Sequence, residues 1–312
     1  MYTKNFKQLS RKDTDIAGGK GASLGEMINN KIPVPPGFVV LAGAFDKFLE
    51  ETDLNVGISA ILKKVKQNDV NSVEAASEKI RTLILESEFP KDISTEILND
   101  FKKLKAKSVA VRSSATAEDS SIASWAGELE SYLNTSQKEL LENVKKCWAS
   151  LFTPRAIFYR IEKKLHKVKV SVAVVVQKMI QSEISGITFT VHPVTQDYGQ
   201  MIIESGYGLG EAIVGGKITP DAYVVQKNKK IKILDINISK QSMMIIRDEI
   251  GIKEVLVSKS KQEKQKLTNK QIFKLSKICI KIEKHYKEPQ DIEWAFEKGK
   301  FYIVQSRPIT TL

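Results

Sequence analysis

Cysteine is scarce in this chain: Cys147 and Cys279 are the only two in 312 residues. Each falls in a segment of helical pattern, and a chain of this length buries a core without disulfide or metal staples. Both cysteines are therefore expected to be small buried hydrophobes. Proline is sparse at nine residues and no tract repeats, while 42% hydrophobic and 28% charged residues sit at globular values. That composition excludes a disordered tail. Long apolar runs are missing too: Val34–Phe45 is broken by Pro35 and Pro36, and Val172–Val176 is short. Neither approaches the roughly 20 residues that span a bilayer, so no membrane insertion is expected. The opening MYTKNFKQLSRKDTD lacks the apolar core of a secretory signal, which makes a cytosolic (cytoplasmic) location the expectation.

Net charge is +12, but it is local. Between Lys227 and Lys287 there are 17 Lys or Arg against six Asp or Glu, so the rest of the chain is nearly balanced. The excess is mostly lysine spread over strand and helix surfaces, without the arginine clusters or interleaved aromatics of nucleic-acid grooves. A solvated face explains it better than a nucleic-acid partner.

Two regimes follow one another along the chain. Up to about residue 166 the pattern is chiefly helical. A glycine-flanked lysine in AGGKGASLGEM opens a helix from about Ala22 to Asn29, and the turn-rich KIPVPPGF leads into an apolar strand. Packing helices fill Ala44 to Lys105, with Ile80, Leu83 and Ile84 in one and Ile93, Ile97, Leu98 and Phe101 in the next. The strand KSVAVRSSA, a polar loop and a helical stretch from Gln137 to Arg160 complete this half. Beyond Lys167 strands dominate. VKVSVAVVVQKMI should be buried on both faces, and SGITFTVHP, QMIIESGYGLGE, AYVVQ and KIKILDINIS extend the sheet. A helix over Asn269–Tyr286 opens on Thr268 and Gln271 in capping-box spacing and carries Ile272, Leu275, Cys279 and Ile282 on one face. The expected division is residues 1–166 and 167–312, two lobes of one α+β unit with a ligand cleft between them.

Four places could carry chemistry. Gly18, Gly19, Lys20 and Gly21 open onto a helix, an arrangement that offers backbone amides and an ammonium to an anion, or else simply makes a tight turn. It is not a P-loop, because the G-x-x-x-x-G-K-[ST] spacing is absent. Arg112 leaves a buried strand and needs an anionic partner, either Glu118 or Asp119 or a bound phosphate. In the C-terminal hairpin, a three-residue loop Lys298–Lys300 sets Glu293 opposite Gln305, with Arg307 two residues on along the same face. A carboxylate, an amide oxygen and a guanidinium so aligned can hold a hard divalent cation beside a triphosphate, or form a solvated Glu–Arg pair. Trp294, Phe296, Tyr302 and Val304 are expected on the apolar face behind them. GYGLGEAIVGG fails as a dinucleotide fingerprint, since Glu211 occupies a required small position and no parallel βαβ unit follows. It reads as a close-packed turn whose Glu211 faces ligand or metal.

Taken in order, GGKGASLGEM, VPPGFVV, VAVRSSATAEDS, AGELESYLN, LFTPRA, VVVQKMI, SGITFTVHP, GLGEAIVGGKITPDAY, QDIEWAF and QSRP resemble one known family. It is the N-terminal ATP-binding domain of the pyruvate phosphate dikinase, phosphoenolpyruvate synthase and rifampicin phosphotransferase family, matched from Gly18 to Pro308. The resemblance implies an ATP-grasp-like fold, two α+β lobes gripping ATP and Mg²⁺ or Mn²⁺ in the cleft between them. It implies Lys20 and Arg112 on the phosphates, Gly127 and Ser131 in a nucleotide-covering loop, and Gln177 beside the adenine. Glu293 and Gln305 become metal ligands, with Arg307 on the phosphates and Asp291 nearby.

The implied reaction passes the β-phosphate of ATP to a histidine, leaving AMP and phosphate. His166, His192 and His285 lack the glycine- and threonine-flanked setting of such an acceptor and are expected to be structural, so the histidine is expected on a separate partner. The expected activity is thus that of an ATP-dependent phosphotransferase of phosphoenolpyruvate synthase type. The alternatives are a rifampicin phosphotransferase-type ATP domain and a non-catalytic ATP-binding regulatory module. The final acceptor, pyruvate, an antibiotic or another compound, is set by domains outside these motifs.

Overall fold

The computed structural model describes every residue except 67–68, 117–118, 121–122, 125–129, 163–170, 229, 250 and 311–312, with 119–120 and 123–124 described in their backbone alone. Its secondary structure is mixed, with sheets paired antiparallel throughout the described strands. The chain forms two compact units, Met1–Glu26 with Pro36–Met179, and Met27–Pro35 with Ile180–Leu312.

In the first unit the elements run β1 (Thr3–Asn5), α1 (Thr14–Asn29), β2 (Gly37–Val40), α2 (Ala42–Glu51), α3 (Leu54–Lys63), α4 (Val70–Glu86) and α5 (Lys91–Leu104). There follow β3 (Val109–Ala115), the short β4 (Asp119–Ser120) and β5 (Ala123–Ser124), β6 (Ser131–Thr135), α6 (Leu140–Ala149), α7 (Pro154–Glu162) and β7 (Val172–Lys178). Five of these strands form a sheet in the order β1-β2-β7-β3-β6. Alternation divides its residues between two faces. Phe38, Val40, Val109, Val111, Val172, Val174 and Val176 join the helical residues in one core cluster. At its centre Trp148 packs against Phe45, Phe48 and Phe89, with ring centroids 5.5, 5.0 and 5.1 Å away. Burying each such side chain contributes about 1.5–3 kcal/mol. The opposite face carries Val39, Ala110, Arg112, Ser114, Ala173, Val175 and Gln177, as the register of β3 and β2 against β7 requires.

β7 departs from the sequence expectation. It belongs to this first sheet and not to the strands that follow it. Its unbroken run of buried apolar residues, Val172 to Val176, correctly marks a strand covered on both faces, but such a run carries no alternation to say which sheet it joins.

The second unit contains β8 (Ile184–Phe189), β9 (Gln200–Tyr207), α8 (Glu211–Val214), β10 (Asp221–Gln226), β11 (Lys232–Asn237), β12 (Met243–Arg247), β13 (Ile252–Leu256), α9 (Asn269–Tyr286), β14 (Gln290–Glu297) and β15 (Lys300–Pro308). A six-stranded sheet is ordered β11-β10-β9-β8-β14-β15, and β12 pairs with β13. α9 has the predicted bounds and capping box, and Ile272, Leu275, Cys279 and Ile282 are buried along it. Burial pushes the Cys279 thiol up to about 12 and the Cys147 thiol higher still, so both are poor nucleophiles.

A fully buried ion pair anchors the excursion between β10 and α9. Lys266 Nζ lies 2.8 Å from Asp221 Oδ1, both side chains being 0% exposed. Asp221 also accepts from the Ser239 and Lys266 amides and the Tyr223 hydroxyl, and Lys266 donates to Ser239 O. This satisfaction of every charge is what makes the burial tolerable. Elsewhere in the basic stretch Lys240 and Lys253 pair with Glu263 and Asp248 on exposed surface, while Lys227 pairs with Glu283 in a largely buried setting.

Candidate functional site

The candidate residues fall on two sheet faces, one in each unit. In the first unit, α1 begins at Thr14 rather than Ala22, and Gly18 interrupts it with φ 66° and ψ 168°. A Cβ at Gly18 would lie 2.2 Å from Ser114 Oγ and 2.3 Å from Ser114 O, so the turn and β3 meet at a distance only glycine permits. Ser114 Oγ accepts from the Gly21 amide at 3.3 Å and donates to Ala17 O at 3.0 Å. The turn that carries Lys20 is thereby clasped to the strand that carries Arg112. Ser131 sits directly across from Arg112 in the β3–β6 register. Gln177 pairs with Ala110 on one side and Gly37 on the other, which places it on the face shared by Arg112. It is 2% exposed, and its Nε2 has no hydrogen-bond partner. Glu118, Gly127 and His166 lie outside the described residues, as does the side chain of Asp119.

The second face is built by the C-terminal hairpin. Its loop has two residues, Lys298 and Gly299, both at positive φ (48° and 78°), and not the three expected. Glu297 pairs with Lys300, and a continuous ladder from there would set Glu293 against Val304. An irregularity between Glu293 and Trp294 adds one residue to β15, and the pairing becomes Glu293 with Gln305 and Asp291 with Arg307. The expected pairing thus arises from a shorter turn plus a bulge. The apolar face changes accordingly: Trp294 and Phe296 are buried as expected, but their partners are Ile303 and Phe301, while Tyr302 and Val304 are only half-buried. Trp294 Nε1 donates to Thr188 Oγ1, which fixes this side of β14 against β8.

On the open side of the ladder, Arg307 Nε donates to Asp291 Oδ2 at 2.9 Å and Nη2 lies 2.8 Å from the same oxygen. Asp291 Oδ1 is buried without a partner, and so is Gln305 Oε1 on a residue 7% exposed. Burial raises the Asp291 carboxyl above its ordinary value; Arg307 opposes the rise and the Glu293 charge adds to it. Two orphaned buried oxygens beside a glutamate form a hard, acceptor-only donor set, which fits an oxygen-loving divalent cation. Among the described residues no three His, Cys, Asp or Glu converge as a ready-made metal cluster, so the amide of Gln305 is integral to this set.

One acidic residue on this face was missed in the sequence. Glu204 pairs with Ile187, which pairs with Glu293. Its carboxyl is raised by burial and by the nearby Asp291 charge. The available signal was a lone acid inside the apolar strand QMIIESGY. Glu211 begins α8 and is exposed, whereas Gly208 meets Ile245 O closely, so the GYGLGE segment is the packed turn expected. His192 Nδ1 accepts from the Val194 and Thr195 amides, and His285 contacts Asn30, both structural settings.

Glu293, Gln305, Asp291 and Arg307 share one face of the second unit's sheet, and the Gly18–Ser114 clasp sets Lys20 beside the strand of Arg112 in the first. The pyruvate phosphate dikinase AMP/ATP-binding domain matches residues 14–312, and the chain belongs to that family. It is 49% identical over 313 residues to a protein of Methanocaldococcus jannaschii named "Probable phosphoenolpyruvate synthase", covering 98% of this chain and 26% of the relative. It is 42% identical over 359 residues to the phosphoenolpyruvate synthase of Pyrococcus furiosus, covering 100% and 44%. The rifampicin phosphotransferase of Bacillus subtilis is 38% identical over 309 residues, covering 98% and 35%. The chain is thus an AMP/ATP-binding domain of this family, and it spans less than half the length of these relatives. No described helix is long and apolar enough to cross a membrane.

Proposed function

We propose that this domain supplies the ATP half-reaction of a phosphotransferase of phosphoenolpyruvate synthase type. ATP and water yield AMP and phosphate while the β-phosphate passes to a histidine on a partner domain. The observation that carries this reading is the row Glu293–Gln305 beside Asp291–Arg307, with two buried oxygens lacking donors.

Each residue has a physical task. Lys20, held by the Gly18–Ser114 clasp, and Arg112, on the adjoining strand, neutralise phosphate oxygens from fixed positions, so little reorganisation is needed as charge moves in the transition state. Ser131, opposite Arg112, adds a hydroxyl donor. Gln177 offers its unpartnered Nε2 to an acceptor nitrogen of the adenine. Glu293 and Gln305 would hold a divalent cation, Mg²⁺ or Mn²⁺, whose positive charge offsets that of the triphosphate when bound. Arg307 would exchange part of its contact with Asp291 for a bidentate grip on phosphate. Gly127, in the expected covering loop, lies outside the described residues.

A rifampicin phosphotransferase-type protein is the second reading, favoured by the relative of that name. It shares the ATP half-reaction and differs in the final acceptor. The test is to supply ATP, Mg²⁺ and a histidine-bearing domain taken from a phosphoenolpyruvate synthase relative, and to follow products by ³¹P NMR. Equimolar AMP, phosphate and acid-labile phosphoprotein are expected. ADP as the product, or ATP binding without turnover, would overturn the proposal and leave a regulatory nucleotide-binding module.

A further inference from the structure

Glu204 has no part in the assignments above. Its place in the sheet is nonetheless specific. The registers of three consecutive strand pairs align Glu204, Ile187, Glu293 and Gln305 in a single row across β9, β8, β14 and β15. Residues in such a row point to the same face. Asp291 and Arg307 form part of the neighbouring row on that face. Gln305, at the far end of the Glu204 row, is 7% exposed and keeps a buried Oε1 without a donor, which is a second and independent sign that this face is shaped for a bound group.

Adjacent strands are about 4.8 Å apart, so Glu204 and Glu293 are separated at their Cα atoms by roughly 10 Å, with Ile187 between them. An ion shared by Glu293 and Gln305 lies over β14 and β15, on the far side of Glu293 from Glu204, so a glutamate reaching over Ile187 meets it through a bound water rather than directly. Magnesium-type ions retain several waters and take only one or two protein carboxylates, which matches this spacing. Glu204, Asp291 and Glu293 place three carboxylates on this face.

Resting on the cation reading of this face, we propose that Glu204 is a positioning residue for the divalent cation held by Glu293 and Gln305. It accepts a hydrogen bond from a cation-bound water and does not enter the coordination sphere. The outer-shell carboxylate orients that water and raises the affinity of the face for the ion.

Mn²⁺ is the probe. Free Mn²⁺ is counted by electron paramagnetic resonance during titration of the full chain with ATP present, and metal-free ATP binding is measured by calorimetry in EDTA. Glu204→Gln, which keeps shape and removes charge, should weaken Mn²⁺ about tenfold and leave metal-free ATP binding unchanged. Glu204→Asp, which keeps the charge, should fall between Glu204→Gln and the wild type. Unaltered Mn²⁺ affinity in Glu204→Gln would overturn the proposal. So would weakened metal-free ATP binding with 2′-deoxy-ATP unaffected, because that pattern makes Glu204 a ribose ligand. Glu293→Gln separates this proposal from the reading beneath it. If Glu293→Gln abolishes Mn²⁺ binding and Glu204→Gln does not weaken it, only the role of Glu204 falls. If the wild type takes up no Mn²⁺, both fall.

Discussion

Replacing Gly18 by alanine tests how the fold delivers Lys20. At φ 66° and ψ 168° the backbone occupies a region that is essentially reserved for glycine, and holding an alanine there costs about 1–3 kcal/mol. The new methyl would also meet the Ser114 backbone and hydroxyl at 2.2–2.6 Å, so α1 or β3 must move, at about 1–3 kcal/mol more. The total is roughly 2–6 kcal/mol, a large part of an ordinary domain stability of about 5–15 kcal/mol. Hydrogen exchange with peptide resolution is the suitable assay. Protection across α1 and β3 should drop at least about 30-fold, which is the equivalent of 2 kcal/mol. ATP binding should weaken with it, while α9 and the β14–β15 hairpin keep their protection. Gly57→Ala is the control, because nothing lies within 4 Å of a Cβ built there in α3. The same substitution should there be neutral or stabilise by up to about 1 kcal/mol. If Gly18→Ala exchanges like the wild type and binds ATP equally well, the clasp does not position the lysine.

Three further outcomes are expected. Arg307→Ala removes charge-assisted contacts of about 1.5–3 kcal/mol and should weaken ATP roughly 10- to 100-fold in calorimetry while adenosine is unaffected; equal losses would make the arginine structural. Lys266→Met strands Asp221 as an uncompensated buried charge and should cost about 3–5 kcal/mol in urea unfolding, whereas a loss under about 1 kcal/mol would show that the three remaining donors to Asp221 suffice. Glu139 accepts from the Ser136 amide and hydroxyl, which hold its carboxyl below the ordinary 4.5. A depressed carboxyl stabilises the fold above the unfolded value and loses that contribution as pH falls through the folded one. The stability gap between wild type and Glu139→Gln should therefore close on acidification from just above pH 4.5. A gap that is constant with pH would mean the contacts do not depend on charge.

What could be read from the sequence followed from local rules. α9 announced itself through the Thr268–Gln271 capping box and a helical row of apolar residues, and its bounds agree with the structure. The Glu293–Gln305 pairing was legible because hairpin register depends on a short loop, yet the loop is one residue shorter than expected and the bulge that compensates leaves no mark in composition. That is why Phe301 and Ile303, and not Tyr302 and Val304, face the core. The sheet membership of β7 and the place of Glu204 were not legible for a common reason. Both depend on which strands lie side by side, a long-range choice to which valine runs and single acids contribute no local signal. The role of Ser114 was hidden likewise, since its partners Ala17 and Gly21 lie more than 90 residues away.

Calorimetric titration with ATP, with and without Mg²⁺, on the wild type and Glu293→Ala tests most directly whether this domain takes ATP through a divalent cation held by Glu293 and Gln305. Tight binding that requires Mg²⁺ in the wild type, and weak, Mg²⁺-insensitive binding in an equally folded Glu293→Ala, is the predicted result. Equal Mg²⁺ dependence in both proteins would contradict it.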